Sequence, residues 1–273
     1  MSWVEVEGIT KAFGNSKSSH VVLDGLTFNI QQNQFVSLLG QSGCGKTTLL
    51  SIIAGFQKAE SGQVRVGGRA IYNPAPDRAF VFQNYMLFPW MTVRENILYP
   101  MKRQRMSPGE REALLERLLA LARLQGKERL FPHELSGGMK QRTALVRALA
   151  CRPKVLLMDE PLGAIDFQMR HSLQEEMEGI FMEDPLTIIM VTHDVDEAVY
   201  MSDRVLVMGN QRGRVVEDLA INLSRPRDRR DHRYQEYVYH LISLLKKQSP
   251  VGYELLKQTG EVVKGKGSIE ITG

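Results

Sequence analysis

The chain has 273 residues, 43% of them hydrophobic and 24% charged, with a net charge of +4. That size holds one large α/β domain or two modest ones, and that balance excludes wholesale disorder. The weak positive charge alone does not imply nucleic acid, and it equally suits a nucleotide or a membrane-associated partner. Two cysteines, Cys44 and Cys151, cannot make a disulfide framework, which points to a reducing compartment. The opening Met-Ser-Trp-Val-Glu-Val-Glu has neither a basic nor an apolar signal region. No run of 18 apolar residues occurs, so the chain is not expected to span a membrane.

In chain order, Trp3 to Ile9 and Val21 to Ile30 read as strands, the second broken by Asp24-Gly25. Phe35 to Leu39 is a short apolar strand ending in a glycine cluster, and Lys46 to Phe56 reads as a buried helix. Gln63–Val66 and Ala79–Phe82 are further short strands. Ser107-Pro108-Gly109-Glu110 is a helix start: Ser caps, Pro takes the first position and Glu follows three residues after the cap. That helix runs to about Leu124, and another runs from Ser136 to about Cys151. Val155–Met158 and Thr187–Val191 are buried strands, with a helix from Phe167 to Met182 between them. A helix starts near Asp194 or Val195, and Arg204–Met208 is a late strand. Strands alternating with helices predict a mostly parallel sheet covered on both faces. The helical stretch from about 84 to 152 reads as an insertion. Ser224–Arg233, with five Arg and two Asp, reads as a solvated turn, and Tyr234 to Leu245 fits one helical face. The Gly- and Lys-rich end beyond Ser249 receives no assignment.

Gly40-Gln41-Ser42-Gly43-Cys44-Gly45-Lys46-Thr47, followed by Thr48, matches the phosphate-binding pattern G-x-x-x-x-G-K-[ST] between a strand and a helix. Glycines let backbone N–H groups curl around phosphate, and the helix N-terminus adds partial positive charge. Lys46 can reach phosphate oxygens, and the Thr47 hydroxyl can ligate Mg²⁺. Cys44 either faces these N–H groups, where a thiolate would be stabilised and reactive, or points inert into the core. The strand Val155–Met158 ends in Asp159-Glu160. Asp159 is placed to hold Mg²⁺, and Glu160 to act as general base on a water.

Leu135-Ser136-Gly137-Gly138-Met139-Lys140-Gln141-Arg142 resembles the LSGGQ signature of ABC ATPases, with Met139 where Gln is usual. The resemblance implies an α/β fold: a P-loop NTPase with a mostly parallel central sheet, an N-terminal antiparallel β part and an inserted helical subdomain. It implies that Ser136, Gly137 and Gly138 bind ATP. It gives Gln83 a contact with Mg²⁺ and the attacking water, and it makes His193 the switch histidine. Gly163-Ala164-Ile165-Asp166 resembles the D-loop, and Phe13 matches the aromatic that stacks on adenine. The resemblance covers roughly residues 2–220.

Phe82 to Val93, Thr192 to Ala198 and Arg225 to Arg229 look like the nitrate/sulfonate/taurine/bicarbonate-type importer ATPases. The insert is too short for a DNA-repair member, and one cassette is too few for a translation factor. That resemblance implies an ATPase homodimer working with two separate permease subunits and a substrate-binding protein. It would sit peripherally on the cytoplasmic face of the cell membrane, with no nucleic-acid partner. Residues 1–247 would form the ABC ATPase domain, leaving 248–273 as a tail of unknown role. Two rivals are a soluble regulatory ABC ATPase and a nucleotide kinase, and the kinase has no use for Ser136-Gly137-Gly138 or His193. The cluster Tyr85 to Trp90 reads either as a docking surface for the permease or as internal packing.

Overall fold

The computed structural model describes residues 2–14, 20–163, 167–210 and 213–248. Its centre is a six-stranded sheet built from β3 (Phe35–Leu39), β6 (Arg78–Val81), β7 (Val155–Asp159), β8 (Thr187–Thr192), β9 (Arg204–Met208) and β10 (Val215–Ala220). The order is β10-β9-β3-β8-β7-β6, parallel throughout except for the antiparallel edge strand β10. The apolar runs follow from burial on both faces. Val36 and Leu38 of β3, Val155 and Leu157 of β7, and Ile189 and Val191 of β8 enter one core. Their neighbours Phe35, Leu39, Leu156, Met158, Ile188 and Met190 enter the other.

A second, antiparallel sheet is formed by β1 (Ser2–Phe13), β2 (His20–Gln31), β4 (Ser61–Val66) and β5 (Arg69–Ala70), in the order β2-β1-β4-β5. The helix α1 (Lys46–Ala54) shares a core with both sheets. Asp24-Gly25 does not break β2: the strand is continuous from His20 to Gln31, and its register against β1 shifts there as a bulge. Hydrogen bonds on both sides of the extra residue keep the pairing.

Helices α2 (Val93–Arg103), α3 (Pro108–Leu121) and α4 (Gly137–Leu149) build a third core from Val93, Ile97, Met101, Leu115, Leu118 and Val146. Both predicted cap residues at Ser107 and Glu110 form their reciprocal bonds, and Thr92 with Glu95 makes a second such box at the start of α2. α5 (Phe167–Glu183), α6 (Val195–Met201) and α7 (His232–Gln248) cover the remaining face of the central sheet.

The arginine-rich segment before α7 is not a solvated turn. Arg227 is 7% exposed and donates to the carbonyls of Val199 and Tyr200, while Arg225 donates to Met201 O and pairs with Glu178 and Asp203. The last carbonyls of α6 have no partner within their own helix, and guanidinium groups satisfy them.

Candidate nucleotide site

The site gathers at the carboxyl ends of the parallel strands, where open α/β sheets bind ligands. Gly40 leaves β3 and Gly45 caps α1. Gly45 has φ 101°, and a Cβ there would come within 2.8 Å of Leu23. A Cβ on Gly40 would meet Met208 O at 2.8 Å and Cys44 Sγ at 2.9 Å. Both positions therefore require glycine, which keeps the loop tight against the first turn of α1. Gln41, Ser42, Gly43 and Thr48 belong to the same curve of backbone, with Ser42 and Gly43 exposed. Lys46 is buried, and its Nζ donates to Gly40 O and Gln41 O, each at 2.8 Å. Cys44 is buried and shares a core with Leu23 and Leu49, so the thiol turns inward, with Lys46 Nζ 3.8 Å from its Sγ.

Thr47 Oγ1 donates to Asp159 Oδ1 at 3.0 Å. Burial lifts the Asp159 carboxyl above its usual range, opposed by the Thr47 bond, and Glu160 beside it adds to the rise. Glu160 has φ 44°, a left-handed backbone uncommon for a residue other than glycine. This conformation aims its side chain between two neighbours: Gln83 Nε2 donates to Oε2 at 3.2 Å, and His193 Nδ1 lies 3.3 Å from Oε1. Thus Thr47, Asp159, Glu160, Gln83 and His193 come together from three strand ends and the start of α1.

Ser136 caps α4, accepting from Met139 N at 3.3 Å, and Gly137 and Gly138 open the helix. Phe13 ends β1, 45% exposed, with the Lys11 ammonium 5.3 Å from its ring centroid. Asp166, with Ala164 and Ile165, lies outside the described residues.

Sequence reasoning missed Glu197 and Arg147. Glu197 is buried on α6, where its carboxylate accepts from Thr192 beside His193, and its N–H donates to the Asp194 cap. The spacing Asp194-x-x-Glu197 was the available signal. Arg147 lies on α4 against the carbonyls of Tyr85 and Met86. No local pattern announces that contact.

The profile of the ABC transporter family matches residues 23–163, just over half of the chain. This chain belongs to the ABC transporter family. It is an ABC-type, ATP-binding ATPase, and it is similar to named relatives along most of its length. The nitrate import ATP-binding protein NrtD of Synechococcus elongatus is 41% identical over 235 residues, covering 84% of this chain and 86% of that protein. The bicarbonate transport ATP-binding protein CmpC of the same species is 45% identical over 245 residues, covering 88% of this chain but 37% of that longer protein. Among solved structures, a dimeric ATP-binding cassette in a post-hydrolysis state bound to ADP and Pi matches with TM-score 0.70 at 29% identity, covering 81% of this chain and all of that one. The ABC ATPase's described residues include no helix long and apolar enough to cross a membrane.

Proposed function

We propose that the chain is the ATP-hydrolysing subunit of an importer for a small oxyanion or sulfonate, of the nitrate, sulfonate, taurine or bicarbonate type. The observation that carries this reading is the bonded group Thr47–Asp159 and Gln83–Glu160–His193 at the carboxyl ends of the parallel strands. In it, Glu160 is the general base, ordered on both oxygens, and takes a proton from the attacking water. Gln83 and His193 hold that carboxylate and orient the water. The loop from Gly40 to Thr48 cradles the phosphates, and Phe13 stacks on adenine. Ser136, Gly137, Gly138 and Asp166 complete the site of a second subunit, so the working unit is a homodimer.

The donor set also fits Mg²⁺. The Thr47 hydroxyl and Asp159 carboxylate are hard oxygens already within hydrogen-bond distance, and the Gln83 amide uses its nitrogen on Glu160, leaving its oxygen. Few protein ligands plus phosphate oxygens is the arrangement Mg²⁺ favours. When bound, the cation would neutralise phosphate charge.

Two membrane permease subunits and a substrate-binding protein would complete the transporter, with this chain peripheral on the cytoplasmic face of the cell membrane and no nucleic acid involved. The named relatives support that assignment, and so does an aromatic surface just after Gln83. Met86 and Trp90 are 56% and 69% exposed, while Tyr85, Leu87 and Phe88 are half-buried. The two readings of this cluster therefore each describe part of it. A soluble regulator would have no use for such a surface. The separate helical core supports residues 84–152 as a subdomain inserted in one ATPase domain of residues 1–247, with 248–273 as a tail of unknown role. Pull-down from detergent-solubilised membranes tests the reading: a permease and a binding protein should co-purify. Recovery of the ATPase without any membrane protein would overturn it in favour of the soluble regulator.

A further inference from the structure

Two consecutive residues after Gln83 hold a backbone that L side chains rarely adopt. Tyr85 has φ 59° and Met86 has φ 47°, and neither is Gly, Asn or Asp. The turn persists because something outside it supplies the missing stability. That partner is Arg147, from the last turn of α4. Its Nη1 donates to Met86 O at 2.6 Å, and its Nη2 donates to Tyr85 O at 2.9 Å. The guanidinium also lies 5.4 Å from the centroid of the Phe88 ring. Burial lowers its pKa from the usual arginine range, and no described carboxylate pairs with it. The charge is committed to two carbonyls, with the Asn96 side-chain oxygen at 3.5 Å.

The turn sits between three functional parts. Gln83, two residues before it, is bonded to Glu160. Half-buried Phe88 and exposed Trp90 follow it. Asn96, fully buried on α2, holds the rest of that segment through bonds to Phe88, Met91 and Thr92. At its other end α4 begins with Ser136-Gly137-Gly138, and a Cβ on Gly137 would lie 3.8 Å from the Tyr85 hydroxyl. One helix therefore presents its first residues to the nucleotide of a neighbour and grips the Gln83 loop with its last turn. α4 cannot turn against the central sheet without breaking this fork or carrying the loop with it.

We propose that Arg147 is a positioning residue: its two-carbonyl fork locks the Tyr85–Met86 turn and ties the placement of Gln83 to the orientation of the signature helix. The proposal rests on the roles of Gln83 and Glu160 in hydrolysis. Its geometry can be measured without them.

The test uses the full chain in five variants: Arg147→Met, Arg147→Lys, Met86→Gly, Arg147→Met combined with Met86→Gly, and Gln83→Ala. Amide hydrogen exchange and steady-state ATP hydrolysis are followed together. Arg147→Met should speed exchange in residues 83–92 while leaving β3 and α1 unchanged. It should lower kcat by about 10- to 100-fold, the scale of a misplaced catalytic group, with KM for ATP within about twofold. Arg147→Lys, a point donor instead of a fork, should fall between. Glycine accepts the left-handed turn without help, so Met86→Gly should restore much of the kcat lost in Arg147→Met. Local loosening with wild-type kcat would overturn the proposal. So would exchange raised across the whole helical unit with no rescue by glycine, the mark of a merely structural arginine. Gln83→Ala with wild-type kcat would overturn the reading of Gln83 itself, and the exchange pattern would still report whether Arg147 holds the turn.

Discussion

Glu160, the proposed general base, has little freedom left to it. Its left-handed backbone, the amide of Gln83 and the imidazole of His193 fix both oxygens in place. Glu160→Gln keeps the size and the phosphate cradle and removes the base. ATP binding should persist while phosphate release falls by about 10²–10⁴, measured by nucleotide titration beside turnover. Near-normal hydrolysis would take the base role from Glu160. A second carboxylate, Glu197, titrates far from its ordinary value. Burial raises its pKa from 4.5 to about 7, against the lowering bond from Thr192, and the Asp194 carboxylate adds to the rise. In that window the folded chain keeps a proton that the unfolded chain releases, so stability is full below the lower value and falls as pH rises toward the upper one. Glu197→Gln should flatten the loss of Tm between about pH 5 and pH 8. An unchanged slope would place the proton elsewhere. Residue identity predicted Glu160 because a strand ending in acids is a local pattern. It left Cys44 open, because the same loop sequence can turn a thiol toward solvent or toward Leu23 and Leu49.

Among the elements, those with local punctuation were legible. Ser107, Pro108 and Glu110 announce α3, whereas α1, expected to reach Phe56, stops at Ala54 because Gly55 turns left-handed. The strands of the central sheet were legible from their apolar runs, but β10 was not. It is an edge strand with alternately half-buried and exposed residues, and its pairing with β9 supplies the order. The arginine segment was misread for a related reason. Five arginines in ten residues read as solvated until α6 brings unpaired carbonyls to meet them. Arg227 and Arg225 then close the end of that helix, and Arg229 stacks its guanidinium 3.7 Å from the Tyr200 ring centroid. Arg227→Met keeps most of the volume and strands two buried carbonyls. It should cost about 2–3 kcal/mol by denaturant unfolding, whereas Arg230→Met, at an exposed residue paired with exposed Asp228, should leave the unfolding midpoint nearly unchanged. Equal costs would mean that the segment behaves as the solvated turn it resembles in sequence.

At the scale of the whole molecule, the division of labour follows from the three cores. The central sheet and α1 present the glycine loop and the acids, and the helical unit carries the signature sequence at one end and the aromatic surface at another. Trp90 is exposed, with the Phe88 ring centroid 5.7 Å away. Trp90→Ser should leave Tm within about 1 °C, the ordinary range for an exposed site, yet lose the co-purifying permease. Retained permease would remove this surface from docking. In the proposed dimer, Ser136 of one chain completes the site built on Lys46 of another. Each lies at a helix N-terminus suited to phosphate, and they belong to different packed units. Mixing Lys46→Ala subunits with Ser136→Arg subunits tests this directly. Each variant alone should be inactive, while a mixed dimer has one doubly damaged site and one intact site. Return of ATP hydrolysis on mixing, with nucleotide-dependent dimerisation, is the predicted result. No hydrolysis and no dimer in the mixture would contradict a site shared between two chains.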